Sequence, residues 1–132
     1  MTAAVIGLWM NHALFSPSPI AIAVQCAAVA LMAWARLTLG RRSFHAAADP
    51  TSGGLVSTGP YHFIRHPIYT AACLFVWTGV LANWSLAAAS YGTLLLAGAI
   101  VRMLCEEQLM KERYPEYRAY ARVTKRMIPY VF

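Results

Sequence analysis

Two long apolar runs set the limits on how this chain can fold. Between Pro19 and Leu39 only Gln25 and Arg36 are strongly polar, and between Trp84 and Val101 there is no charged residue. A hydrocarbon core about 30 Å thick is crossed by roughly 20 helical residues rising about 1.5 Å each, so both runs reach or nearly reach the length of a membrane span. Composition points the same way. Of the 132 residues 59% are hydrophobic and 12% charged, and the mean hydropathy is +0.50, above that of ordinary soluble domains.

Two shorter apolar segments run from Ala3 to Phe15 and from Pro67 to Leu81. The second leads into Ala82-Asn83-Trp84, a tight-turn sequence that makes Pro67 to Leu104 a predicted helical hairpin. The first can be tilted, interfacial or spanning. A cleaved signal peptide fits it poorly, because no Lys or Arg precedes it and the next apolar run follows almost at once. The expected fold is a single all-α integral membrane domain over residues 1–132. It has about four transmembrane helices, a C-terminal helical hairpin and a cytoplasmic amphipathic tail. Between Gly40 and His66 the pairs Asp49-Pro50, Gly53-Gly54 and Gly59-Pro60 predict turns. Beyond Arg102, apolar Leu104, Leu109, Tyr114, Tyr117, Tyr120 and Val123 alternate with Glu106, Glu107, Lys111, Arg118 and Arg122. Pro115 breaks this stretch into two amphipathic pieces on the membrane surface.

The net charge of +6 comes from eleven Lys and Arg against five Asp and Glu, and every basic residue lies at Arg36 or later. With four helices those residues fall on one side of the membrane. The positive-inside rule makes that side the cytoplasm, with both termini on it. Nucleic acid is not an expected partner, because the basic residues do not alternate with stacking aromatics away from the membrane-flanking segments; membrane lipids are. Cys26, Cys73 and Cys105 lie inside apolar segments without CxxC spacing and are expected to be reduced and buried. His12, His45 and His62 show no ligand spacing, and no metal is expected.

Two polar constellations can carry chemistry. The first is the run from Leu55 to Tyr69, LVSTGPYHFIRHPIY, directly before a membrane helix. Pro67 suits a first helical position, which leaves His66 at the cap and the open N–H groups of the first turn facing the polar loop. That end can hold a carboxylate. Alternatively, Arg65 and His66 sit among lipid headgroups with Tyr61 and Tyr69 as interfacial belt residues. The second constellation is Arg102, Glu106 and Glu107. Arg102 and Glu106 are one turn apart and form an intrahelical ion pair in the simplest reading. Acids beside a membrane boundary are otherwise costly unless they face water or a ligand. A carboxylate there can take two hydroxyls or a cation, and an arginine can anchor an acidic group.

Four pieces in order, LVSTGPYHFIRHPIY, the hairpin, RMLCEEQL and KERYPEYRAYARVTKRMIP, resemble the isoprenylcysteine carboxyl methyltransferases and the related membrane phospholipid N-methyltransferases. The resemblance spans roughly Gly40 to Tyr130. It implies a helical membrane enzyme whose cytoplasmic end wraps S-adenosylmethionine, with S-adenosylhomocysteine as product and a lipophilic small molecule or lipid as substrate. It further implies that Gly53, Gly54, Leu55 and Val56 line the cofactor, that Tyr61 walls the pocket, and that His66, Pro67, Ile68 and Tyr69 form the cofactor motif. Glu106 matches the acid that holds the cofactor, with Glu107 as its companion. Arg102 matches the residue that orients an acceptor carboxylate, so Arg102 and Glu107 are the expected catalytic pair. Many relatives carry glycine where this chain has Ala71, so the closest helix approach there is expected to differ.

Methyl transfer from a sulfonium is an in-line displacement that needs positioning more than covalent catalysis, and near-attack geometry can supply about 7 to 11 kcal/mol. A carboxylate acceptor needs no base. A hydroxyl or amine must lose a proton, for which Glu106, Glu107 and His66 all remain open. Two rivals stand beside this reading: a membrane ene-reductase using a reduced nicotinamide dinucleotide phosphate, and a small membrane subunit without catalysis.

Overall fold

Helix boundaries in this chain fall at residues that start and stop helices with little strain. The computed structural model describes residues 2–10, 12–15, 18–40 and 55–131. It contains α1 (Thr2–Met10), α2 (Pro19–Leu39), α3 (Pro67–Ala82), α4 (Leu86–Arg113) and α5 (Tyr117–Val123), with a 3-10 turn at Gly59–His62. Both α2 and α3 have proline in their first turn, where the missing N–H breaks no helical bond. Ser85 opens α4 by accepting a bond from the Ala88 N–H at 3.1 Å. Asn83 closes α3, its side-chain amide donating to the Gly79 carbonyl at 3.2 Å and to the Phe15 carbonyl at 2.8 Å. The expected hairpin and its turn are therefore present, and Pro115 separates α4 from α5 as expected. The turns at Asp49-Pro50 and Gly53-Gly54 lie outside the described residues, as does His45.

Among the described residues, α2 with 21 residues and α4 with 28 are the helices long and apolar enough to cross a membrane. The 16 residues of α3 and 9 of α1 give about 24 and 14 Å at about 1.5 Å per residue. Two such helices stand where the sequence led to an expectation of about four. The first apolar segment stops at Met10 for a tertiary reason. His12 turns the chain with φ of 52°, and the Ala13 N–H donates back to the Leu8 carbonyl at 3.0 Å. The turned segment is then pinned from two sides. Gln25 of α2 is buried and donates to the Leu14 carbonyl at 2.6 Å and the Phe75 carbonyl at 3.3 Å. Gly79 of α3 lets the Ala13 and Leu14 carbonyls approach its backbone, where a Cβ would stand 2.7 Å from the Leu14 oxygen.

The helices pack through small side chains, which lets their backbones come close without a large apolar core. On α2 the buried residues are Ala21, Gln25, Ala28 and Ala35. On α4 a single stripe of Ala88, Gly92, Leu95, Ala99, Met103 and Glu107 is buried at the three- and four-residue spacing of one helix face. Ala71 is fully buried on α3. Outward-facing Ile20, Trp34 and Leu37 on α2, with Leu86, Leu94 and Val101 on α4, present the large apolar surface that suits lipid contact. Of the three cysteines only Cys73 is buried. Cys26 and Cys105 are exposed on outer helix faces, contrary to expectation.

At one end of the bundle the end of α2, the start of α3 and the end of α4 meet. Gly59 seats the 3-10 turn there against α2. Its φ is +58°, and a Cβ at this position would lie 2.6 Å from the Thr38 hydroxyl oxygen. Backbone conformation and close approach both require glycine.

Candidate functional site

The start of α3 is built from two chain segments far apart in sequence. The backbone N–H groups of Arg65 and His66 donate to the Lys125 and Arg126 carbonyls at 2.7 and 2.9 Å, and Ile64 forms a parallel bridge with Lys125. The Thr70 hydroxyl donates to the Met127 carbonyl at 2.8 Å. The Tyr120 hydroxyl donates to the Tyr61 carbonyl at 2.6 Å. Arg65 donates from one terminal nitrogen to the Ala121 carbonyl at 2.8 Å and also to the Thr124 carbonyl. The tail therefore does more than lie along a surface: Tyr117, Thr124 and Met127 are buried in it. Nor does Arg65 sit among headgroups, since its side chain is 8% exposed.

Successive residues of a helix point about 100° apart, so adjacent acids on α4 face different surroundings. Glu107 points inward. One of its oxygens accepts from Arg65 Nε at 2.9 Å and lies 3.4 Å from His66 Nε2, and the other accepts from Arg126 Nε at 3.3 Å. With 3% of its side chain exposed, this carboxylate is committed to neighbours within the protein. Glu106 faces the space between the α3 start and the end of α4. Its Oε1 accepts from the Tyr69 hydroxyl at 2.6 Å and from Arg102 Nε at 3.1 Å, which is the expected intrahelical ion pair. Its side chain is 31% exposed and that of Arg102 52% exposed. Both of these bonds fall on Oε1.

Pro67 is fully buried, Tyr61 and His66 are buried, and Leu55, Val56, Ile68 and Tyr69 are half-buried. The His66 and Tyr69 rings lie 5.8 Å apart. Pro67 has no N–H and Thr70 donates to the His66 carbonyl, so among the described residues Ile68 and Tyr69 carry the open donors of the first turn. Gly53 and Gly54 lie outside the described residues. In the polar cap outside the apolar helices, burial followed by the nearby Tyr120 pushes the Tyr61 phenol up to about 12. Burial likewise pushes the Tyr120 phenol up to about 12 and raises that of Tyr117. These phenols are neutral hydrogen-bonding groups at ordinary pH, not bases.

A model of the phospholipid methyltransferase family matches residues 19–117, well over half of the chain and from the first residue of α2 to the first of α5. The chain belongs to the phospholipid methyltransferase family. Such a methyltransferase acts on lipid-like substrates, and two long apolar helices fit a membrane protein. Comparison with curated proteins and with solved structures gives no match. The matched span of this methyltransferase includes the α3 start, Arg102, Glu106 and Glu107. It stops short of Tyr120 to Met127, the segment docked on the α3 start. From the sequence that segment reads as a surface piece and as part of the resemblance, and Arg65 as a headgroup-facing charge, with no site role for the segment, Arg65 or Arg126. The only signal was an excess of basic residues, which a solvated or headgroup-facing tail would also give.

Proposed function

We propose that this chain transfers a methyl group from S-adenosylmethionine to a lipophilic acceptor at the cytoplasmic face of a membrane. The single observation that carries the reading is the pair formed by Tyr69 and Glu106. A partly exposed carboxylate is held by a tyrosine of the α3 start, beside a first turn with open N–H groups.

This donor set suits the cofactor. Glu106 can accept ribose hydroxyls or face a sulfonium cation, and the Ile68 and Tyr69 N–H groups at the positive end of α3 can receive the amino-acid carboxylate. Tyr61, buried beside the same end, supplies a wall. When bound, S-adenosylmethionine supplies a methyl carbon already activated for displacement. The protein's part is to align the acceptor and exclude water.

Arg102 is half-exposed and one turn from Glu106, where it can orient an acidic acceptor such as an isoprenylcysteine-type carboxylate. For a hydroxyl or amine acceptor, Glu106 is the acid with access to take the proton. Glu107, enclosed by Arg65, His66 and Arg126, supports the site from behind. The family match favours methyl transfer over hydride transfer from a nicotinamide and over a subunit without catalysis.

The test is methyl transfer from isotopically labelled S-adenosylmethionine in proteoliposomes supplied with a prenylated cysteine, a fatty acid or phosphatidylethanolamine. Label passing into the lipid phase with the wild type and not with Glu106→Gln is the expected result. Label staying in water with all three acceptors would overturn the assignment of a lipid-like acceptor.

A further inference from the structure

The buried carboxylate of Glu107 is the meeting point of three elements. Glu107 belongs to α4, Arg65 precedes α3, and Arg126 lies in the segment after α5. Arg65 and Arg126 take opposite oxygens of the carboxylate, at 2.9 and 3.3 Å. A carboxylate and a guanidinium with side-chain exposures of 3% and 8% are tolerable only as a pair with their remaining hydrogen bonds satisfied. Arg65 Nη1 donates to the Ala121 and Thr124 carbonyls, so the same side chain that pairs with Glu107 on α4 also holds the tail. The backbone bonds from Arg65 and His66 to Lys125 and Arg126 extend that hold to the residue before Pro67.

We infer that Glu107 is a positioning residue. Through Arg65 and Arg126 it docks the segment from Tyr120 to Met127 onto the start of α3, and so sets the face on which Tyr69 and Glu106 meet. The inference rests on the methyltransferase reading above. Because Glu106 follows the helical setting of its neighbour, seating Glu107 inward directs Glu106 toward Tyr69. Because Tyr69 lies in the first turn after His66, fixing the Arg65 and His66 backbone fixes where the tyrosine hydroxyl stands. Neither effect needs Glu107 to touch cofactor or acceptor. The docked segment lies beyond the residues matched by the family model.

The experiment uses the full-length, detergent-purified protein with Glu107→Gln, Arg126→Gln, the double variant and Arg126→Lys. Glu107→Gln keeps the shape of the carboxylate, and Arg126→Gln leaves the buried Arg65 pair intact, so the second variant keeps the test open should the first fail to fold. Three readouts are taken: S-adenosylhomocysteine binding by calorimetry, methyl transfer with varied S-adenosylmethionine, and trypsin cleavage after Lys125. Each glutamine variant is expected to cleave faster at Lys125. Each should also raise the cofactor Kd and KM by about tenfold while changing kcat by less than about threefold. The double variant should be no worse than the poorer single variant by more than about twofold, as for groups acting through one contact, and Arg126→Lys should restore most of the binding. Faster cleavage at Lys125 with unchanged cofactor binding would overturn the inference, as would additive losses in the double variant. If wild-type protein binds no S-adenosylhomocysteine, the methyltransferase reading itself fails; loss confined to the variants tests the positioning role alone.

Discussion

The Tyr69 hydroxyl donates to Glu106 Oε1 across the α3–α4 interface at 2.6 Å, joining residues 37 positions apart in the chain. Tyr69→Phe removes that bond and keeps the ring. A single hydrogen bond to a charged group contributes about 1.5–3 kcal/mol, so S-adenosylhomocysteine affinity should fall by roughly ten- to a hundredfold if Glu106 holds the cofactor. Calorimetry with the variant, alongside a thermal melt showing that the fold is retained, checks it.

Gly59 and Gly40 both have positive φ, at +58° and +60°, but differ in surroundings. A Cβ on Gly59 would collide with Thr38, whereas a Cβ on Gly40 meets no described atom within 4 Å. Gly59→Ala should therefore destabilise by more than the about 1 kcal/mol of backbone strain expected for Gly40→Ala. Thermal unfolding of the two variants in the same detergent compares them directly, and Gly59→Ala combined with Thr38→Ala should recover part of the difference.

Gln25 replaces missing partners for the Leu14 carbonyl inside an apolar setting. Hydrogen bonds between helices in membranes contribute about 0.6 kcal/mol on average and up to about 1.7 kcal/mol. Gln25→Leu should lower stability by an amount in that range. It should also loosen the segment around Ala13 to Phe15, read as faster amide exchange there while the exchange at Arg65 and His66 stays unchanged.

Alkaline pH supplies a further check. The Tyr61 and Tyr120 phenols are raised from 10 to about 12 in the folded protein. A raised pKa means that the neutral form is favoured by folding, so the associated stability is complete below about pH 10 and is lost as pH rises through about 12. Melting temperature should drop across that window. Tyr120→Phe should shrink the drop, and should also lower stability by about 1 kcal/mol at neutral pH through the lost bond to the Tyr61 carbonyl.

Much of the helical layout was legible because its signals are local. Pro19, Pro67, Ser85, Asn83 and Pro115 act on the residues beside them, and each marks an observed helix end or break. The early end of α1 was not legible, since the turn after Met10 is held from other helices: Gln25 and Asn83 donate to the Leu14 and Phe15 carbonyls, and Gly79 leaves room for those of Ala13 and Leu14. The site divides in the same way. The motif around His66 to Tyr69 and the acids on α4 stand out in sequence. Which of two adjacent acids is enclosed and which is accessible depends on the rotation of α4, and that depends on Arg65 and Arg126. Those arginines read as headgroup-facing charges until the tail is seen to fold back over the α3 start.

The central claim is that Glu106 and the start of α3 hold S-adenosylmethionine. Calorimetric titration of the detergent-purified protein with S-adenosylhomocysteine, with a reduced nicotinamide dinucleotide phosphate titrated in parallel, tests it most directly. Micromolar binding of the former, abolished in Glu106→Gln with an unchanged melting profile, is the predicted result; binding of the nicotinamide alone, or of neither, would contradict the claim.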